Sequence, residues 1–188
     1  MTHAQRLKVA GAALLLAGFT SAAAAQGTLM AKADLKDTKD KVIGNADLVQ
    51  TPAGVLIRLS IKDKDFKPGE RAIHIHAVGQ CQPPFESAGR HFNPTQHMHG
   101  ILAGPGHAGD LPNLHIPQSG ELMIEFVNAN VTLEKGKPNS LFDNDGSSLV
   151  IHAGADDYKS DPAGNSGDRI ACGVIVESGE TVGRSPAK

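Results

Sequence analysis

Apolar and polar residues alternate along several stretches of this chain, and the alternation has the period of a strand. In Val55-Leu56-Ile57-Arg58-Leu59-Ser60-Ile61-Lys62, positions 55, 57, 59 and 61 are aliphatic and 58, 60 and 62 are polar, Leu56 being the exception. Strand side chains point alternately to opposite faces, so this reads as a half-buried strand. Thr51-Pro52-Ala53-Gly54 before it has turn composition, which predicts a hairpin with residues 41–50. Lys67-Pro68-Gly69 is a second turn and leads into a strand carrying His74 and His76. Leu122, Ile124 and Phe126 share a face on another strand, followed by Leu149-Val150-Ile151 and then residues 170–176. No segment holds a 3.6-residue apolar period over a helical length. Turns at short intervals with almost no helix predict an all-β sandwich or barrel.

Two segments lose the pattern. Residues 80–113 are dominated by Gly, Pro, His and Asn, and residues 154–168 by Asp, Gly, Ser and Pro. Long runs of this kind inside a compact domain are usually functional. At the start of the chain, Arg6 and Lys8 precede an apolar run from Val9 to Phe19 and then Ala23-Ala24-Ala25. That is the pattern of a secretory signal peptide, residues 1–25, cleaved before Gln26. No later stretch reaches membrane-spanning length. Residues 26–177 then form the β domain, and 178–188 a tail rich in Gly, Ser and Pro.

Export changes the reading of charge and of the cysteines. Without Arg6 and Lys8 the chain keeps 16 basic against 20 acidic residues, a net charge of −4. Mild acidity with no basic run to neutralise phosphates argues against nucleic acid as a partner. Two cysteines in an exported chain, Cys81 and Cys172, point to a disulfide. It would close a loop of 91 residues and contribute about 4–5 kcal/mol in the chain-entropy description.

The chemistry concentrates between His74 and Asp110, where six of the nine histidines lie: His74, His76, His91, His97, His99 and His107. A His-x-His pair on a strand presents both imidazoles on one face. The later histidines and Asp110 sit among Gly and Pro, in a loop able to fold round an ion. Imidazoles with a carboxylate suit zinc or copper better than calcium or magnesium, so a two-metal site is expected. Other motifs fail on context. Gly104-Pro105-Gly106-His107-Ala108-Gly109 has neither the preceding strand nor the following helix of a dinucleotide loop. Asp143-Asn144-Asp145-Gly146 would put Leu141 first and His152 last in a calcium loop, where carboxylates are required. Asn130-Val131-Thr132 is a glycosylation sequon that matters only in a glycosylating cell. No serine has the setting of a hydrolase nucleophile.

Taken together, these pieces resemble the copper,zinc superoxide dismutases, particularly the exported bacterial branch. The resemblance is carried by His74-Ile75-His76, by residues 87–94 around His91, by His99-Gly100 and by His107-Ala108-Gly109-Asp110-Leu111-Pro112-Asn113. It continues through Leu149-Val150-Ile151-His152 and Gly164-Asn165-Ser166-Gly167-Asp168-Arg169-Ile170-Ala171-Cys172. It runs from about residue 28 to 176. The fold it implies is a Greek-key sandwich or flattened barrel of about eight antiparallel strands.

The resemblance also implies a ligand set: one copper ion on His74, His76, His91 and His152, and one structural zinc ion on His91, His99, His107 and Asp110. His91 would bridge the two. Asp156 would accept hydrogen bonds from His74 and His99, Arg169 would orient superoxide, and Cys81–Cys172 would be the family's disulfide. His97 and His115 have no ligand role, and His3 belongs to the signal segment. The implied activity is disproportionation of superoxide to dioxygen and hydrogen peroxide in the periplasm, by a monomer or homodimer, with His91 carrying a proton. Superoxide dismutase is itself a standing example of turnover near the diffusion ceiling. Steering of the anion therefore matters, and Lys159 is a candidate for it. The chain departs from the family pattern at Ala72-Ile73 and at Arg90, which stands where a glycine usually precedes the bridging histidine. Two rival readings use other chemistry: a non-catalytic periplasmic copper or zinc store or chaperone on the same fold, and a zinc hydrolase. The first would be favoured by loss of a copper ligand or of Arg169, and the second needs an open zinc site.

Overall fold

The computed structural model describes residues 28–179. The signal segment 1–25, and all but the first two residues of the tail, lie outside the described residues. Ten strands follow in chain order: β1 Met30–Asp37, β2 Val42–Thr51, β3 Gly54–Lys62, β4 Gly69–Arg71, β5 Ile73–His76, β6 Leu114–Ile116, β7 Glu121–Asn128, β8 Ser148–His152, β9 Arg169–Val174 and β10 Val176–Glu177. Among the described residues the only helical element is a 3₁₀ turn at Glu86–Ala88. None contains a helix long and apolar enough to cross a membrane.

The main sheet has the order β5-β8-β9-β1-β2-β3-β7, with β10 added to β1, while β4 and β6 form a separate pair. Every pairing is antiparallel. From β3 the chain crosses to β5 at the far end, and from β7 it crosses back to β8 beside β5. These crossovers give the all-β fold that the alternation predicts and the Greek-key arrangement that the family resemblance implies.

The predicted hairpin is β2–β3, in register from Gly44↔Ile61 to Thr51↔Gly54. Val55, Ile57, Leu59 and Ile61 are 0–1% exposed, and burying each contributes about 1.5–3 kcal/mol. β1 is a strand that the alternation does not announce. Its inward residues are Ala31, Ala33 and Leu35, and alanine is too weakly apolar to mark a period. The strand expected over 170–176 begins one residue earlier, at Arg169, and breaks after Val174 before β10.

Period two also positions the site. Ile73 and Ile75 of β5, like Leu149 and Ile151 of β8, join the hydrophobic core. His74 and His76 therefore face the other side of the sheet, where loops 77–113 and 153–168 cover them. The first loop adds itself to the free edge of β5. Ile75 N–H donates to Gly109 O at 2.9 Å, Phe92 N–H to Ile75 O at 2.8 Å and Ala77 N–H to Arg90 O at 2.8 Å. This brings His91 beside His76 and Asp110 beside His74. Gly109 permits the approach, since a Cβ there would run into the Ile75 carbonyl. On the opposite flank of β8, His152 is the register partner of Arg169.

Candidate metal centre

The structure brings the predicted residues into two groups of four. His74, His76, His91 and His152 form one, and His91, His99, His107 and Asp110 the other, with the ligand atoms in each within 4.8 Å of one another. His91 belongs to both. His97 and His115 stay outside: His97 lies near Thr95 and Gly106, and exposed His115 pairs with Glu70 at 3.4 Å.

Hydrogen bonds fix which nitrogen of each ring is free. His74 Nε2 faces Asp156 Oδ2 at 2.8 Å, and His99 Nε2 faces Asp156 Oδ1 at 2.9 Å. A carboxylate only accepts, so both Nε2 atoms carry the proton and both Nδ1 atoms keep the lone pair. His76 Nδ1 faces Gly89 O at 3.0 Å, and His152 Nδ1 faces Gly167 O at 3.1 Å. Those carbonyls place the protons on Nδ1 and leave Nε2 free. The grouping of His74, His99 and Asp156 is thus a hydrogen-bonded bridge that aims rings at both sites.

Four ring nitrogens are left over. His74 Nδ1, His76 Nε2, His91 Nε2 and His152 Nε2 are buried without a hydrogen-bond partner. Buried polar atoms are rarely left so, and here four lone pairs share one small space. A soft or borderline cation that prefers imidazole satisfies all four. The second group makes the same demand differently. His91, His99 and His107 approach Asp110 Oδ1 through Nδ1 at 3.0, 3.1 and 3.3 Å. The proton of His99 is already committed to Asp156, so its Nδ1 and the Asp110 oxygen are two acceptors in contact. A central cation removes the conflict. An ion with ligand bonds of about 2.0–2.1 Å in a tetrahedron separates its ligand atoms by about 3.3 Å, close to the spacing present. Both groups fit a metal.

Burial sets the protonation states. It pushes His76 down to about 2, and His152 to about 3. It lowers His91 to about 4 against the Asp110 hydrogen bond, and it also lowers His74. Burial would raise the Asp110 carboxyl, but hydrogen bonds from His107 and His91 and from the Gly100 and His107 N–H groups hold it well below the carboxylate range. Asp156 is held at about 2, with bonds from His74 and His99 outweighing burial. His74, His76, His91 and His152 are therefore neutral, and Asp110 and Asp156 charged, at neutral pH, as metal ligation requires.

The metal-free protein should lose stability as pH falls below the ordinary histidine range. Unfolded, a histidine protonates near 6.5, whereas folded His91 does so near 4. Between those values the unfolded chain binds more protons, so stability present above pH 6.5 is lost as pH falls. His91 alone accounts for about 2 kcal/mol at pH 5, a drop of about 4–8 °C in Tm relative to pH 8. Calorimetry of the metal-stripped protein checks this, and an equal Tm at both pH values would contradict it.

Arg169 and the disulfide complete the site. Arg169 donates from Nη1 to Phe85 O at 2.6 Å and from Nη2 to Gly89 O at 2.7 Å. Two of its five N–H donors are thereby used to hold the guanidinium in place. A cleft of about 680 Å³ is lined by Arg169, His91, His152, Arg90, Glu86 and Asp168, among others. Cys81 and Cys172 are bonded, and with Phe85, Ala88 and Val150 they form a small second core. The bond anchors the segment whose Phe85 and Gly89 carbonyls grip Arg169.

Several further residues contribute through contacts that the sequence did not announce. Asn113 clasps the Asp156 main chain with both ends of its amide, and its N–H donates to Tyr158 Oη at 2.6 Å. His99 N–H donates to Asp161 Oδ1 at 2.6 Å. Gly164, at φ +62°, lies where a Cβ would collide with the Asp156 carboxylate and the His99 ring. These contacts join residues far apart in the chain, and nothing local to Tyr158 or Asp161 betrays them.

Comparison with known proteins places this geometry in a family. Residues 42–175 match the family described as Copper/zinc superoxide dismutase (SODC). The chain is 52% identical over 150 residues to Superoxide dismutase [Cu-Zn] 1 of Aquifex aeolicus, covering 78% of this chain and 88% of that protein. It is 39% identical to the Superoxide dismutase [Cu-Zn] of Caulobacter vibrioides, over 77% of this chain and 84% of that one. Among solved structures, a SOD-like protein from Bacillus subtilis superposes with a TM-score of 0.73 at 36% identity, over 77% and 97% of the two chains. The Cu/Zn superoxide dismutase from Brucella abortus, 24% identical with a TM-score of 0.63, shares the fold. The chain belongs to the copper/zinc superoxide dismutase family.

Proposed function

We propose that this protein is a superoxide dismutase, converting two superoxide anions to dioxygen and hydrogen peroxide with one copper and one zinc ion per chain. The observation that carries the reading is the set of four partnerless imidazole nitrogens, two of whose rings, His91 and His152, line the cleft that holds Arg169. His74, His76, His91 and His152 would hold copper, while His91, His99, His107 and Asp110 would hold zinc as a closed, structural set. Copper supplies the one-electron chemistry when bound.

The chain's own residues do the rest. Three N–H donors of Arg169 remain for a small anion, and the cation holds it by charge and by directed hydrogen bonds. Asp156 keeps His74 and His99 in the tautomers that present Nδ1. His91 Nε2 has no hydrogen-bond partner in the protein, so it would be the atom to carry a proton to the product whenever it is not holding copper. We place the enzyme outside the cytoplasm, in the periplasm, as a monomer or homodimer with residues 26–177 as its folded unit. The signal-like residues 1–25 and the Cys81–Cys172 bond support export to an oxidising compartment.

The test of Arg169 is Arg169→Gln. Losing a charge-assisted interaction of about 1.5–3 kcal/mol lowers kcat/KM about 10- to 100-fold, while copper and zinc contents stay as in the parent. Unchanged turnover would remove Arg169 from its role.

A further inference from the structure

We propose that Arg90 is the outer anion-capturing residue of this site, drawing superoxide into the cleft before Arg169 receives it. The inference rests on the dismutase reading. Arg90 lines the same cleft as His91, His152 and Arg169. Its main chain is fixed, because its carbonyl accepts the Ala77 N–H at 2.8 Å, but its side chain is exposed. Among the described residues it pairs with no carboxylate, whereas Arg169 is largely buried, bound to two carbonyls, and has Glu86 at 3.9 Å. The two arginines therefore divide the work: one is locked inside, and the other stands free at the mouth.

Charge makes the outer position consequential. The cleft is lined by two guanidinium groups, Arg90 and Arg169, and by two carboxylates, Glu86 and Asp168. Without Arg90 one cation would face two anions, on a chain that is already acidic overall. The cleft side chains alone would then oppose a monovalent anion at the mouth, leaving the bound metal ions and Arg169 to attract it from within. Lys159, the lysine singled out from the sequence, is exposed but is not among the residues that line the cleft. A cation at the rim of a concave site raises the encounter rate, and salt weakens its pull within a Debye length of about 10 Å at 0.1 M.

The experiment uses the copper- and zinc-loaded protein and its R90Q, R90E and R90K variants, with equal metal content confirmed. Two quantities are read: kcat/KM for superoxide against ionic strength, and the affinity of the cupric protein for azide, followed optically. Arg90→Glu should lower kcat/KM about fivefold at low salt, abolish or reverse the fall of rate with salt, and weaken azide about as much. Arg90→Gln should lie between, Arg90→Lys should restore the salt slope, and the variants should converge at high salt. The same salt slope and azide affinity in R90E as in the parent would overturn the proposal. So would an equal loss at every ionic strength with azide affinity unchanged. Azide binding does not depend on turnover, so it decides the role of Arg90 even if the parent fails to dismutate superoxide.

Discussion

Replacing His91 with alanine should disable both metal sites at once. The ring takes part in both groups, with Nδ1 3.0 Å from Asp110 Oδ1 and Nε2 buried without a partner beside His74, His76 and His152. Truncation removes one ligand atom from each set and the atom proposed to carry the proton. General acid catalysis by a positioned side chain is worth about 10²–10⁴-fold, so activity should fall about 100-fold or more. The distinctive result lies in the metals. His91→Ala should weaken copper and zinc together, whereas His76→Ala should release copper alone and His107→Ala should act first on zinc. Chelator competition read for each metal separately checks this. Loss of only one metal in His91→Ala would show that the ring serves a single site.

The second large effect is expected from Asp156→Asn, a change of one atom with no change of shape. The carboxylate accepts from both His74 Nε2 and His99 Nε2 and from the Tyr158 N–H at 2.7 Å. An amide offers one accepting oxygen and one donating nitrogen. One of the two rings must then accept at Nε2 and carry its proton on Nδ1, the atom meant for the metal. Partners that orient metal-binding histidines in this way are typically worth 10–100-fold in metal affinity. Asp156→Asn should lose about that much from copper or zinc, while far-UV circular dichroism stays that of the parent. Unchanged affinity for both metals would mean that the bridge orients neither ring.

The sheet was legible in the sequence wherever branched aliphatic residues alternate with polar ones. β3 announces itself through Val55, Ile57, Leu59 and Ile61, and the turn at 51–54 fixes its partner. β1 does not, because Ala31 and Ala33 carry the inward face. β4 and β6 are three residues each, too short for any period to show. The site divides along the same line. His74 and His76 are readable because a strand imposes period two on them. His91, His99, His107 and Asp110 are readable through their density in one loop and through the family resemblance. The parts that aim them were hidden: Gly89 O and Gly167 O set two tautomers through main-chain atoms that every residue has. Asn113, Tyr158 and Asp161 act through contacts across 43 to 62 positions. Sequence pattern reports what a residue type can bind, and only the fold reports which of its two nitrogens is left to do so.

One paired measurement decides between a dismutase and a metal store: copper and zinc content by elemental analysis, with the superoxide dismutation rate, on the same purified protein. The geometry predicts one copper and one zinc per chain, rapid dismutation, and loss of that activity when copper is removed with restoration when copper is returned. Full occupancy of both sites without turnover would contradict it and identify a metal store built on an enzyme's fold.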